Sequence, residues 1–79
     1  MKKVIDIIKE MEVKGFTSET AIDFSFSDGT VARCTIGDFL PTTTKKFPKE
    51  YANMNAELTS YYTLEEMLDM NMIAIEVTL

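Results

Sequence analysis

The sequence predicts a small α+β domain: an N-terminal helix, a β-hairpin, a central helix or strand, a short helix and a C-terminal strand. These elements would form a three- or four-stranded, mainly antiparallel sheet with helices on one face. Three observations carry the prediction. Residues 4–14, "VIDIIKEMEVK", repeat apolar side chains at the helical period. From Ile22 the period falls to two and continues through an Asp28-Gly29 turn. Residues 72–79, "MIAIEVTL", alternate again.

In the first segment Val4, Ile7 or Ile8, and Met11 share a face, with Lys9, Glu10 and Lys14 toward water. Asp6 with Lys9, and Glu10 with Lys14, stand at the spacing of favourable helical charge pairs. Gly15 is the stop signal, and Phe16 behind it can fold back on Met11. Thr17-Ser18-Glu19 then connects to the hairpin.

Ile22, Phe24 and Phe26 alternate with Asp23, Ser25 and Ser27. A two-residue turn at Asp28-Gly29 would set Phe24 against Arg33 and mix the two faces. A three-residue loop, Ser27-Asp28-Gly29, with Gly29 left-handed as a bulge, instead pairs Phe26 with Thr30, Phe24 with Ala32 and Ile22 with Cys34. That register makes the inner face apolar and sets Asp23 across from Arg33. It also makes Cys34 a small core residue, because a thiol among Ile and Phe is inert.

Ile36 ends the second strand, and Gly37-Asp38 lets Phe39 and Leu40 plug the core. "PTTTKKFPK", residues 41–49, reads as exposed, with the loop proper at about 41–47. Pro48 suits a first helical position, and Tyr51, Met54, Leu58 and Tyr61 recur at helix-like spacing, which predicts a helix from about 48 to 60. The β-branched and aromatic content of "ELTSYYT" makes a strand from about 57 to 62 the competing assignment. Thr63-Leu64-Glu65-Glu66 matches a capping box, so a short helix follows over about 64–70, stopped by Asn71. The last strand places Ile73, Ile75, Val77 and Leu79 on one face.

Seventy-nine residues make one domain, 1–79, and 46% of them are hydrophobic, enough for a compact core. One cysteine and no histidine rule out an intrachain disulfide and a Cys/His zinc site. The basic start Met1-Lys2-Lys3 raises the question of a signal peptide, but Asp6, Lys9, Glu10 and Glu12 interrupt the apolar stretch. The expected location is cytoplasmic.

The absence of histidine also removes the Ser-His and Cys-His nucleophile pairs, and three scattered glycines build no phosphate-cradling loop. The expectation is a protein that is not an enzyme and takes no cofactor. Glu65, Glu66 and Asp69 cluster without the loop of oxygen ligands that a hard cation needs, so no metal is expected.

Charge distribution is more informative than the net −5. All eight basic residues lie within 1–49, whereas residues 50–79 carry Glu50, Glu57, Glu65, Glu66, Asp69 and Glu76 and no Lys or Arg. An acidic chain disfavours direct nucleic-acid binding and suits a larger protein with a basic surface. Met54, Met67, Met70 and Met72 and Tyr51, Tyr61 and Tyr62 fall in the same third, and both residue types serve recognition. Tyr61 and Tyr62 are adjacent, so at least one faces outward.

The candidate partner-binding residues are Tyr61, Tyr62, Glu65, Glu66 and Asp69, with Lys45, Lys46, Phe47 and Lys49 as a secondary contact loop. The profile is similar in type to small proteins of phages and mobile elements that occupy a surface on a larger host protein. An inhibitor or regulator is the first expectation. A DNA mimic blocking a nucleic-acid-binding site, or a self-assembling homo-oligomeric subunit, are the alternatives.

Overall fold

The computed structural model describes residues 2–39 and 48–79; the predicted loop at 41–47, with Leu40, lies outside them. The element order is β1 (Lys2–Lys3), α1 (Val4–Val13), β2 (Ala21–Phe26), β3 (Val31–Thr35), β4 (Asn55–Leu58), α2 (Leu64–Met70) and β5 (Met72–Val77). The five strands form one sheet in the order β1-β4-β5-β2-β3, so the predicted three or four strands become five. The sheet is mixed rather than all antiparallel: β2 runs parallel to β5, while the other neighbouring pairs are antiparallel.

α1 forms where the period predicts, with Val4, Ile7, Ile8 and Met11 buried. Its ending satisfies orphan carbonyls as a Schellman motif does: Phe16 N–H donates to Met11 O at 3.2 Å and Gly15 N–H to Glu12 O at 3.2 Å. Gly15 has φ +114°, a conformation that costs a Cβ-bearing residue steric strain. The Glu10 carboxylate binds Lys2, eight residues back, rather than the expected Lys14. Both partners are exposed, so the pair contributes little stability.

The hairpin takes the three-residue loop. Ile22 pairs with Cys34, Phe24 with Ala32 and Asp23 with Arg33. Phe26 N–H donates to Thr30 O and Gly29 N–H to Phe26 O, both at 2.9 Å, with Gly29 at φ +91°. The Asp28 carboxylate accepts from Thr30 Oγ1 at 2.7 Å and Thr30 N–H at 3.0 Å, and these bonds hold its pKa below the ordinary 3.8. Arg33 reaches Asp23 through Nε and, at 3.1 Å, through Nη2, which keeps the guanidinium still more firmly protonated. Cys34 is buried on the inner face, as the register requires.

Residues 48–60 depart from the predicted helix. A single 3-10 turn, Lys49–Tyr51, follows Pro48, and the chain then extends as β4. The competing strand over 57–62 is displaced as well, because β4 occupies Asn55–Leu58 and Tyr61 and Tyr62 lie in the bend before α2. The reason is tertiary. The first N–H groups of a helix have no partner inside it; here Val4 N–H donates to Met54 O at 3.0 Å and Ile5 N–H to Ala52 O at 2.9 Å. The carbonyls that a helix over 48–60 would use internally instead cap α1, where Lys3 provides no side-chain cap. Beyond them Ala56, fully buried, pairs with both Lys2 and Val77.

α2 and β5 form where predicted, separated by left-handed Asn71 at φ 51°. The Asn71 side chain accepts from buried Thr20, whose hydroxyl in turn accepts from Thr17 N–H, tying the start of β2 to the start of β5. Leu79 departs from the predicted inner stripe: the strand ends at Val77, and Leu79 is exposed, with its N–H donating to Ser27 Oγ.

Alternation divides the sheet into two faces. Ile22, Phe24, Phe26, Cys34, Ala56, Ile73, Ile75 and Val77 join the α1 stripe, Phe16, Ile36 and Met67 in one core. The Tyr51 ring packs on Phe26 at 4.9 Å and Phe39 on Phe24 at 6.3 Å. The other face carries Asp23, Ser25, Arg33, Glu57 and Glu76. Among the described residues, no helix is long and apolar enough to cross a membrane.

Two stability outcomes follow. Nothing lies within 4 Å of a Cβ built on Gly29, so Gly29→Ala measures backbone strain alone; it should cost about 1 kcal/mol in urea unfolding, and Gly29→Asn less. Among the described residues the buried Thr59 hydroxyl has no hydrogen-bond partner, so Thr59→Val should raise stability by roughly 1 kcal/mol in the same assay.

Candidate protein-binding surface

α2 owes its position to the two strands it joins. β4 and β5 are antiparallel neighbours, so the segment between them must turn back at the sheet end where β2 and β5 both begin. Thr63 starts the helix with the predicted capping box: Thr63 Oγ1 accepts from Glu66 N–H at 3.2 Å, and Glu66 Oε1 accepts from Thr63 N–H at 2.9 Å. Met67 anchors the helix in the core and Leu64 is half-buried.

With those positions turned inward, 100° per residue carries Glu65 and Asp69 onto one outer ridge and Glu66 and Met70 onto the next. All four are exposed, Met70 at 45%. Tyr61 and Tyr62, in the preceding bend, are 76% and 39% exposed, so neither ring is core. The structure thus gathers Glu65, Glu66 and Asp69 on one helix face and presents both tyrosines immediately before it.

Glu66 differs from its two neighbours in having a structural duty, since one carboxylate oxygen completes the cap. Glu65 and Asp69 have no such bond. The ion pairs among the described residues are Lys2 with Glu10 and Arg33 with Asp23, so none of the described cations pairs with Glu57, Glu65, Glu66, Asp69 or Glu76.

Lys49 does not join this surface. It sits in the 3-10 turn whose Tyr51 packs on Phe26, the last residue of β2, whereas α2 leads into Met72, which pairs with Ala21, the first. Six extended residues separate these ends, roughly 17 Å. Lys45, Lys46 and Phe47 lie outside the described residues.

The sheet contributes a second acidic place that the sequence pattern did not single out. Glu57 and Glu76 stand directly opposite each other on β4 and β5, on the face away from α1. With Ser25, Ser27 and Thr78 they line a shallow depression of about 200 Å³. Asn55 to Thr59 does alternate in sequence, which is the trace that could have marked Glu57 as outward, but nothing local reveals Glu76 as its neighbour. Among the described residues no group of three or more His, Cys, Asp or Glu side chains is placed to hold a metal ion. The arrangement offers exposed charge and aromatic contact area.

No protein-family model, curated protein or solved structure matches this chain.

Because the capping box and the candidate surface share Glu66, the structural part of its role can be isolated by substitution. Thr63→Ala should destabilise the domain by about 1 kcal/mol in thermal unfolding, whereas Glu66→Gln, which keeps an acceptor oxygen for Thr63 N–H, should cost clearly less.

Proposed function

We propose that this chain is a non-enzymatic protein-binding module, an inhibitor or regulator that acts by occluding a basic surface of a larger protein. The observation that carries this reading is the outer face of α2. Glu65, Glu66 and Asp69 are exposed there with no cation paired to them among the described residues, and two exposed tyrosines precede them.

Unpaired carboxylates on one face attract a basic surface over several ångströms and raise the encounter rate, while like-charged competitors are repelled. Tyrosine then supplies short-range affinity, because its ring buries a large area and its hydroxyl keeps a hydrogen bond. Met70, unbranched and polarisable, adapts to whatever apolar surface lies beside the charges. The action is steric: a domain with extents of 29 × 29 × 19 Å covers a substantial part of a binding site.

The test is affinity capture from a lysate, identification of the captured protein, and binding kinetics on that purified partner across a range of salt. The variant is Glu65→Lys with Asp69→Lys, which leaves the Thr63–Glu66 cap intact. Association should slow on the order of tenfold and its salt dependence should flatten. Unchanged kinetics in the double variant would sink the reading, and displacement of DNA from the partner's site would refine it to nucleic-acid mimicry.

A further inference from the structure

We propose that two copies of this chain join through the outer edge of β3 as a two-fold antiparallel dimer. β3 is last in the strand order, so among the described residues no strand covers its outer side. Along an antiparallel strand, alternate residues turn their N–H and C=O toward the neighbour. The bonds from Phe26 N–H to Thr30 O and from Ile36 N–H to Thr20 O set that alternation. Thr30, Ala32, Cys34 and Ile36 therefore face β2, and Val31, Arg33 and Thr35 face outward.

The ends of the edge are closed within the chain. Thr35 N–H donates to the Asp38 carboxylate at 3.0 Å, and Gly29 N–H to Phe26 O at 2.9 Å. What remains is the N–H and C=O of Val31 and Arg33, together with a Val31 side chain that is 77% exposed.

These constraints select one register. A two-fold axis at Arg33 opposes two guanidinium groups and calls on the Thr35 N–H. An axis at Val31 calls on the Gly29 N–H, which the turn holds. An axis at Ala32 sets Val31 of each copy opposite Arg33 of the other, and each pair exchanges both of its backbone bonds. Ala32 then meets its own copy at a non-hydrogen-bonded position, where Cα atoms approach to about 4.5 Å and a methyl group fits.

The chemistry of the edge suits a second copy. Charged side chains ordinarily guard an open edge, but Arg33 is already neutralised by Asp23 within its own sheet, and its stem is left to cover Val31 of the other copy. β3, "VARCT", contains no carboxylate, although the chain carries −5 overall. Two acidic chains thus meet on a strand that adds no negative charge.

Sedimentation velocity tests the proposal. The protein should be at least half dimeric at about 1 mM, and salt should tighten the dimer by screening repulsion between like-charged chains. Val31→Lys, at an exposed position, sets lysine opposite arginine and should weaken the dimer at least about tenfold. In a Cys34→Ala background, Ala32→Cys should oxidise to a disulfide-linked dimer, because the Cα separation at the axis falls within disulfide range, and Val31→Cys should not. A monomer at about 1 mM, or a Val31→Lys protein that dimerises like the wild type, overturns the proposal. Equal crosslinking at both positions overturns the register. The dimer stands apart from occlusion by α2: salt should weaken that docking, and Val31→Lys should leave it unchanged.

Discussion

The pairing of β2 with β5 is the constraint from which the rest of the structure follows. Ile22 lies beside Ile73, Phe24 beside Ile75 and Phe26 beside Val77, all of them buried, with α1 across their inner face. β3 and β4 are each held by one member of this pair, and β1 only by β4. The two strands are far apart in the chain and parallel, so no tight turn can join them; everything between must form the crossover. A hairpin could close early, but the core is complete only when the C-terminal strand arrives.

That topology determines where the charge goes. β4, α2 and β5 belong to the stretch without lysine or arginine, and their apolar positions are committed to the central pair. Their carboxylates are left on the remaining surface, divided between the outer face of α2 and the open face of the sheet. Glu57 opposite Glu76 is an unfavourable cross-strand pair, costing a few tenths to about 1 kcal/mol. On β2 and β3 the equivalent position holds Asp23 against Arg33, where opposite charges stabilise the register. Among the described residues, carboxylates outside an ion pair thus lie in two places, on the outer face of α2 after the exposed tyrosines and on the open face of the sheet.

Local signals were legible wherever a residue's conformation depends on its near neighbours. The α1 stripe, the Gly15 ending, the three-residue hairpin loop, the Thr63 capping box and the Asn71 terminator all follow from side chains no more than twelve residues apart in the chain. The segment from 48 to 60 was misread for the opposite reason. Tyr51, Met54 and Leu58 do recur at helical spacing, yet Ala52 and Met54 direct their carbonyls at the first turn of α1, about fifty positions away in the chain. Of the candidate surface, the identities of Glu65, Glu66, Asp69 and the tyrosines are legible in the sequence, because charge and residue type are sequence properties. The opposition of Glu57 and Glu76 could not, since it exists only in a pairing.

The sequence alone determined the class of the fold, the hairpin register, the burial of Cys34 and the acidic character of the last third, since period, turn chemistry and composition act over a few residues. Only the tertiary structure decided that the sheet has five strands, that β5 enters parallel beside β2, and that Lys2–Lys3 adds an edge strand. Each of these depends on which distant backbone groups find one another, and hydrogen-bonding groups are the same at every residue. A sequence names the side chains that must be buried, but the partners of a strand are chosen by the packing of the whole.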